Sequence, residues 1–125
     1  MRATEDRWHY KVERGPDWLF VKVVPPSQDQ GDTPHIDTDI LNLLRRHTAH
    51  RVVLELDEVA ALPPQFLEEL VALREQLEQD RGVMRLTGLS APCLEQFRAN
   101  QLEGRLPTFP TRQEAVFGKA AAPSK

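Results

Sequence analysis

Few side chains in this sequence have the types and spacing that bind a metal ion or attack a substrate. His47 and His50 lie three residues apart near the end of a predicted helix, a spacing that can hold a metal ion. No Cys, His or carboxylate motif accompanies them, so we predict no metal site. Cys93 follows Pro92 at the start of another predicted helix, where a thiol can gain reactivity. It has no partner motif either, and we expect an ordinary, semi-buried thiol.

Hydroxyl groups and nucleotide-binding motifs give no catalytic pattern. A kinase could modify Thr87 or Ser90, but a strand position explains the first residue and a helix-capping position explains the second. The sequence contains no Gly-rich phosphate loop, no nucleophile elbow and no zinc-ligand spacing. We therefore predict that the chain is not an enzyme, and we expect no cofactor.

Length and composition indicate one ordinary globular domain. The 125 residues are 40% hydrophobic and 28% charged, and the net charge of −3 gives no general attraction to nucleic acid or anionic lipid. There is one cysteine, no apolar run of about 20 residues that could span a bilayer, and no signal-peptide pattern at the N-terminus. We expect a cytoplasmic protein with a single domain over residues 1–118 and a flexible tail over residues 119–125.

The elements that would position a site begin with two strands. The alternating residues 9–13 and the apolar run 18–24 flank the turn residues 14–17, Arg-Gly-Pro-Asp, and this pattern predicts an antiparallel hairpin. Residues 25–34 are rich in Pro, Asp and Gly and poor in apolar side chains. They predict a long loop, which is a second candidate for contact with a partner.

Capping residues predict four helices. Asp37 is expected to cap the first helix and Ser90 the third. The second and best-defined helix is expected to start at Pro64 and to stop at Gly82, with apolar residues at spacings of three and four between them. The sequence Thr-Arg-Gln-Glu at residues 111–114 matches the capping box and predicts the fourth helix.

The strands predicted between these helices give the fold class. They cover residues 52–56 and 83–87, and residues 105–109 are predicted to be extended. The alternation of strands and helices is typical of parallel crossover units. We predict an α/β fold with a mixed β-sheet, an antiparallel hairpin at its start and helices packed against it.

Two segments of the chain resemble a known family. Residues 52–59, Val-Val-Leu-Glu-Leu-Asp-Glu-Val, run into the long helix, and residues 82–90, Gly-Val-Met-Arg-Leu-Thr-Gly-Leu-Ser, follow it. Together with Ala115 in a late helix they resemble the STAS domain, the family of bacterial anti-sigma factor antagonists, over about residues 9 to 117. The resemblance implies a STAS-like fold. It also implies binding to a regulatory protein such as an anti-sigma factor or a serine kinase-type ATPase.

The sequence departs from this family at the family's regulatory position. In the family, the loop before the long helix carries Asp-Ser-Ser-Gly, and a partner kinase phosphorylates a serine there. Aligned on Val59 and Leu67, this loop corresponds to residues 63–66, Pro-Pro-Gln-Phe. Gln65 then stands at the phosphoacceptor position and has no hydroxyl that could take a phosphoryl group. The resemblance implies the family fold without the family switch.

The same loop and helix start form the partner-binding surface that we predict. Phe66 is open to two interpretations, as an anchor for a partner or as a core residue. Glu68 and Glu69 either imitate the charge of a phosphate or serve the helix dipole and solubility. The predicted partner-binding residues are Leu62, Pro63, Pro64, Gln65, Phe66, Glu68 and Glu69.

Two further hypotheses depend on other features. A small-ligand or lipid sensor requires a pocket between the sheet and the helices, which a sequence cannot show. A scaffold subunit of a larger regulatory assembly requires exposed apolar groups, for which Trp8 and Trp18 are the candidates.

Overall fold

The structure is a computed structural model that describes residues 7–27 and 33–118. The predicted tail over residues 119–125 and residues 28–32 of the predicted loop lie outside the described residues. Within the two described ranges, no helix has the length and apolar content needed to cross a membrane.

The helices and strands of the described residues follow in the predicted order. The last strand has two residues and is shorter than the extended segment predicted there. The elements are β1 (His9–Arg14), β2 (Leu19–Val24), α1 (Ile36–Arg46), β3 (Arg51–Glu55), α2 (Pro64–Gln79), β4 (Val83–Thr87), α3 (Ala91–Ala99), β5 (Thr108–Phe109) and α4 (Arg112–Phe117).

The five strands form one mixed sheet with the spatial order β1-β2-β3-β4-β5. β1 pairs antiparallel with β2, whereas each of the other neighbouring pairs is parallel. The backbone N–H of Gly15 donates to the carbonyl of Trp18 at 2.8 Å and closes the turn between the first two strands. The predicted α/β fold with an N-terminal antiparallel hairpin is therefore confirmed.

The main core lies on one face of the sheet, beneath α1, α2 and α3. Alternate residues of β2, such as Leu19 and Val21, point to this face and are fully buried against apolar residues of the three helices, such as Ile40, Leu70 and Phe97. Alternation of this kind is what a strand with one face on a core requires. Burial of apolar area on this face is the main term that stabilises the fold.

The opposite face of the sheet carries a smaller apolar cluster under α4. Trp18, Phe20 and Val53 pack there with Ala115 of α4. Trp18 is only 7% exposed, so it is not the exposed apolar group that the scaffold hypothesis requires. Since α4 has only six residues, much of this face beside β1 stays open to solvent.

One guanidinium group connects the open face to α4. Arg112 donates through Nε to the buried carboxylate of Glu55 at 2.6 Å and forms an ion pair with Glu13 at 3.1 Å. Its guanidinium carbon lies 4.1 Å from the ring centroid of Phe20. A carboxylate that is buried on a sheet requires such a charged partner, because an unpaired charge there would be strongly destabilising.

The helix termini confirm some of the predicted caps and correct others. Ser90 and Thr111 each accept a backbone N–H at the predicted helix start, and α2 begins at Pro64. Asp37 is not the cap of α1, because the helix already begins at Ile36.

The end of α2 also differs from the prediction. The helix ends at Gln79, and the left-handed residue that follows is Arg81 with φ 63°, not Gly82. Gly82 is required for a different reason, since a Cβ built there would lie 2.7 Å from the carbonyl oxygen of His50. Gly82, predicted to end α2, is thus a position where the backbone of His50 approaches closely.

Tyr10 joins the edge strand to the first helix. Its hydroxyl donates to Oδ2 of Asp39 in α1 at 2.7 Å. Burial, together with this hydrogen bond and the negative charge of Asp39, raises the pKa of Tyr10 above its usual value near 10. The folded state therefore favours the protonated phenol.

We predict that this contact makes stability fall at alkaline pH. Above about pH 10 the phenol ionises in the unfolded state but stays protonated in the folded state, so rising pH favours unfolding. Tyr10 is the single tyrosine of the chain. At about pH 8, Tyr10→Phe should lower the free energy of unfolding by about 1 kcal/mol through the lost hydrogen bond. Urea unfolding at rising pH should show this difference shrinking above about pH 10, and a constant difference would contradict the assignment.

Candidate partner-binding surface

The candidate surface lies at the carboxyl edge of the parallel strands. There the loop between β3 and α2 meets the described ends of the loop between β2 and α1, and an open groove of about 690 Å³ lies between them. Ligands and partners commonly bind at this edge of α/β sheets. The residues that line the groove are Trp8, Pro25, Pro26, Thr33, Glu58, Val59, Ala60, Ala61, Leu62 and Pro63.

Gln65 connects the start of α2 to the loop before α1. Its Nε2 donates to Oε2 of Glu69 at 2.8 Å and to the carbonyl of Pro34 at 3.2 Å. Its Oε1 accepts the hydroxyl proton of Thr33 at 3.0 Å. An amide side chain can donate and accept at once, and Gln65 uses both capacities here. It therefore holds one wall of the groove in place.

Glu69 caps a helix other than its own. Its Oε1 accepts the backbone N–H of Ile36 at 2.8 Å, and its Oε2 lies 3.1 Å from Nδ1 of His35. It thus satisfies one of the free N–H groups at the start of α1 and places a negative charge at the positive end of that helix. The dipole that Glu69 serves is therefore that of α1 and not that of its own helix.

The capping cluster also contains a set of potential metal ligands. Among the described residues, the ligand atoms of His35, Asp37 and Glu69 lie within 4.8 Å of one another. Both oxygens of Glu69 already accept hydrogen bonds, and a helix N-terminus repels cations. The chemistry of the cluster is that of a helix cap. His47 and His50, the pair with metal-like spacing in the sequence, are not part of it.

Two of the predicted contact residues are buried. Phe66 is fully buried with its ring centroid 4.9 Å from that of Trp8, and Leu62 is 2% exposed. Of the two interpretations of Phe66, the core residue is therefore the correct one. The side chain of Leu62 likewise belongs to the core, so neither side chain is accessible to a partner in this structure.

The other predicted residues remain accessible on the surface. Pro64 and Glu68 are exposed, while Pro63, Gln65 and Glu69 are half-buried. Glu68 lies beyond the first turn of α2, which contains no acidic residue. Its charge therefore serves the surface more than the helix dipole, whose effect is confined to the first turn.

The rim of the groove is acidic. Asp57 and Glu58 are about half-exposed, and the ammonium group of Lys22 lies 3.2 Å from the first carboxylate and 3.9 Å from the second. The hydrogen bond to Asp57 raises the pKa of Lys22, so its charge is retained at neutral pH. The two carboxylates outnumber the single ammonium group, so this rim is negatively charged.

Several residues that shape this surface have no signal in the sequence. Gln96 of α3 accepts the backbone N–H of Leu62 at 2.8 Å and donates to its carbonyl at 2.7 Å. Ser90 donates to the carbonyl of Ala60 at 2.7 Å in addition to capping α3. Cys93, expected to be semi-buried, is fully buried, with its sulfur 3.5 Å from the carbonyl oxygen of Val59. These contacts join residues more than 25 positions apart, so local spacing does not reveal them.

Known proteins with the same fold are found by structure and not by sequence. No protein-family model and no curated protein sequence matches this chain. An anti-sigma factor antagonist from Mycobacterium paratuberculosis is 20% identical, with 90% of this chain and 94% of that chain covered and a TM-score of 0.73. An anti-sigma factor antagonist (STAS) domain protein from Planctomyces limnophilus is 19% identical, with coverage of 87% and 96% and a TM-score of 0.60.

The anti-sigma factor antagonist SpoIIAA has the same architecture. Its unphosphorylated form is 13% identical to this chain, with 86% of this chain and 93% of that chain covered and a TM-score of 0.64. The phosphorylated form of SpoIIAA from Bacillus is also 13% identical, with coverage of 88% and 98% and a TM-score of 0.60. The STAS-like fold implied by the sequence resemblance is therefore confirmed.

We predict that the two adjacent glutamates differ sharply in their effect on stability. Glu69→Ala removes the cap of α1 and should lower the free energy of unfolding by about 1–2 kcal/mol. Glu68→Ala, at an exposed side chain that makes no hydrogen bond in the described structure, should change it by less than about 0.5 kcal/mol. Urea denaturation of both variants measures the difference. Equal values would show that Glu69 does not support α1.

Proposed function

We propose that this chain is a non-catalytic, cytoplasmic regulatory domain that binds a protein partner at the carboxyl edge of its sheet. The partner class implied by the fold is a regulatory protein such as an anti-sigma factor or a serine kinase-type ATPase. The observation that carries the proposal is the open groove beside Ala61 and Pro63, bounded by the loop that leads into α2. A groove with an apolar floor and a polar rim fits a protein interface.

The accessible residues indicate how a partner would be held. An apolar side chain of the partner would fill the groove between Trp8 and the loop over residues 58–63. The acidic rim formed by Asp57 and Glu58 would favour a basic surface on the partner. Complementary charge of this kind mainly raises the association rate and the specificity.

Binding at this surface is proposed to proceed without phosphorylation at the start of α2. Gln65 offers an amide where the family resemblance implies a serine, and an amide cannot take the phosphoryl group that would add negative charge. Its hydrogen bonds to Pro34 and Glu69 hold the groove wall in one arrangement. Partner concentration, or modification of the partner, would then control the complex.

Two chemically identical substitutions test the surface. Ala61 lines the groove and is exposed, whereas Ala72 is exposed on the middle of α2 and does not line it. In affinity capture from the source organism, wild type and Ala72→Arg should retain a regulatory protein that Ala61→Arg loses. With the purified partner, Ala61→Arg should raise the dissociation constant about tenfold or more. Equal binding by both variants would show that the interface does not include the groove. Phosphorylation of the wild-type chain by the captured partner would contradict unswitched binding.

The groove also supports a second candidate function, the binding of a small apolar ligand or lipid. Its volume lies within the range of about 300–1,000 Å³ that is typical of ligand pockets. A thermal-shift screen with fatty acids and nucleotides separates the two functions, because only a ligand that binds the folded state raises the melting temperature. The scaffold hypothesis has little support, because Trp18 is buried and Trp8 is half-buried against Phe66.

A further inference from the structure

We propose that two copies of this chain associate through their β1 strands, which pair antiparallel about a two-fold axis at Val12. β1 is an edge strand whose pairing, within the described structure, is with β2 alone. Five of its six residues are exposed and Tyr10 is half-buried. The opposite edge, β5, has only two residues and offers little backbone for pairing. Long exposed edges promote pairing with another strand.

The hydrogen-bond pattern of the hairpin determines which backbone groups of β1 are free. Gly15 bonds to Trp18 across the turn, and hydrogen-bonded pairs alternate with non-bonded pairs along an antiparallel ladder. With the observed register, Lys11 and Glu13 therefore bond to β2. The N–H and C=O groups of the even-numbered residues 10, 12 and 14 point away from the sheet.

Charge then selects the register between two copies. A symmetric pair must place even-numbered residues opposite even-numbered residues, so that their free backbone groups meet. Centred on Val12, this pair puts Lys11 of each copy opposite Glu13 of the other. Centred on Lys11 or on Glu13, it would put like charges directly opposite each other, which is destabilising. Only the Val12 register combines free backbone groups with two opposite-charge pairs.

The side chains at this edge are available for the contact. Val12 is 37% exposed, an unusual position for a large apolar side chain in this structure, and would meet its own copy at the axis. Glu13 is 67% exposed although it pairs with Arg112, so one side of its carboxylate remains open to Lys11 of the other copy. The strand contributes only six residues, so the association is weak and depends on concentration.

Charge reversal and rescue test this interface. Sedimentation of the full chain at low salt should show a monomer–dimer equilibrium. Lys11→Glu and Glu13→Lys alone should each weaken it about tenfold or more, because both pairs become repulsive. An equimolar mixture of the two variants should associate about as strongly as wild type, because all cross-strand charges are then opposite. A wild-type dissociation constant weaker than about 1 mM, or a mixture that fails to associate, would overturn the proposal.

A cross-link provides a second measurement that does not depend on charge. Cα atoms in a hydrogen-bonded antiparallel pair lie about 5.5 Å apart, within the range that a disulfide can span. Cys93, the single natural cysteine, is fully buried, so Val12→Cys supplies the accessible thiol. Mild oxidation should convert this variant to a covalent dimer, whereas Thr38→Cys, exposed on α1, should remain monomeric. Equal cross-linking of both variants would contradict pairing through β1.

Discussion

The candidate surface depends on one carboxylate placed between two helices. Glu69 holds the backbone of Ile36 with one oxygen and the amide of Gln65 with the other. The first contact fixes the start of α1, and the second fixes the side chain that binds Thr33 and Pro34. One wall of the groove is therefore attached to α2 through polar contacts, in addition to the apolar core that buries Val59 and Leu62 of the neighbouring loop. This explains how a loop on the surface can keep a defined shape.

The sheet is covered unequally, and the charges on its open face follow from this. Three helices bury one face, but among the described elements α4 alone packs on the other, where Arg112 of α4 reaches Glu55. Its carboxylate is buried, so Arg112 must stay beside it, and the guanidinium covers the ring of Phe20 at the same time. The same guanidinium also reaches Glu13 of β1. Arg112 therefore connects the edge strand to α4.

Sequence predicted the elements whose signals are local. Proline at the start of α2, and the hydroxyl caps of Ser90 and Thr111, act on backbone groups within three residues, and these predictions were confirmed. Glu69 acts on Ile36, which is 33 positions away, and nothing in the spacing of acidic residues distinguishes it from Glu68. The sequence could therefore predict the helices but not the residue that caps α1.

The same distinction separates correct from incorrect predictions of burial. Apolar periodicity placed Phe66 equally well in a core or at an interface, and only its position under Trp8 decides between them. Trp18 was a candidate for an exposed apolar group only under the scaffold hypothesis, since a strand pattern does not show whether the second face of a sheet is covered. A short helix at the end of the chain covers that face, and its distance in sequence leaves no local sign of the contact. Fold class is thus more readily predicted than the surface on which function depends.

The groove and the exposed edge of β1 adjoin each other, because Trp8, which lines the groove, directly precedes β1. The groove lies at the carboxyl edge of the parallel strands, whereas β1 presents the side of the sheet. A two-fold axis at Val12 relates copies whose strands run in opposite directions, so their carboxyl edges point to opposite ends of a continuous sheet. A partner bound at one groove would then have no contact with the other copy's groove. Self-association of this geometry would produce a particle with two independent binding sites, and it would increase avidity only for a partner that itself presents two matching surfaces.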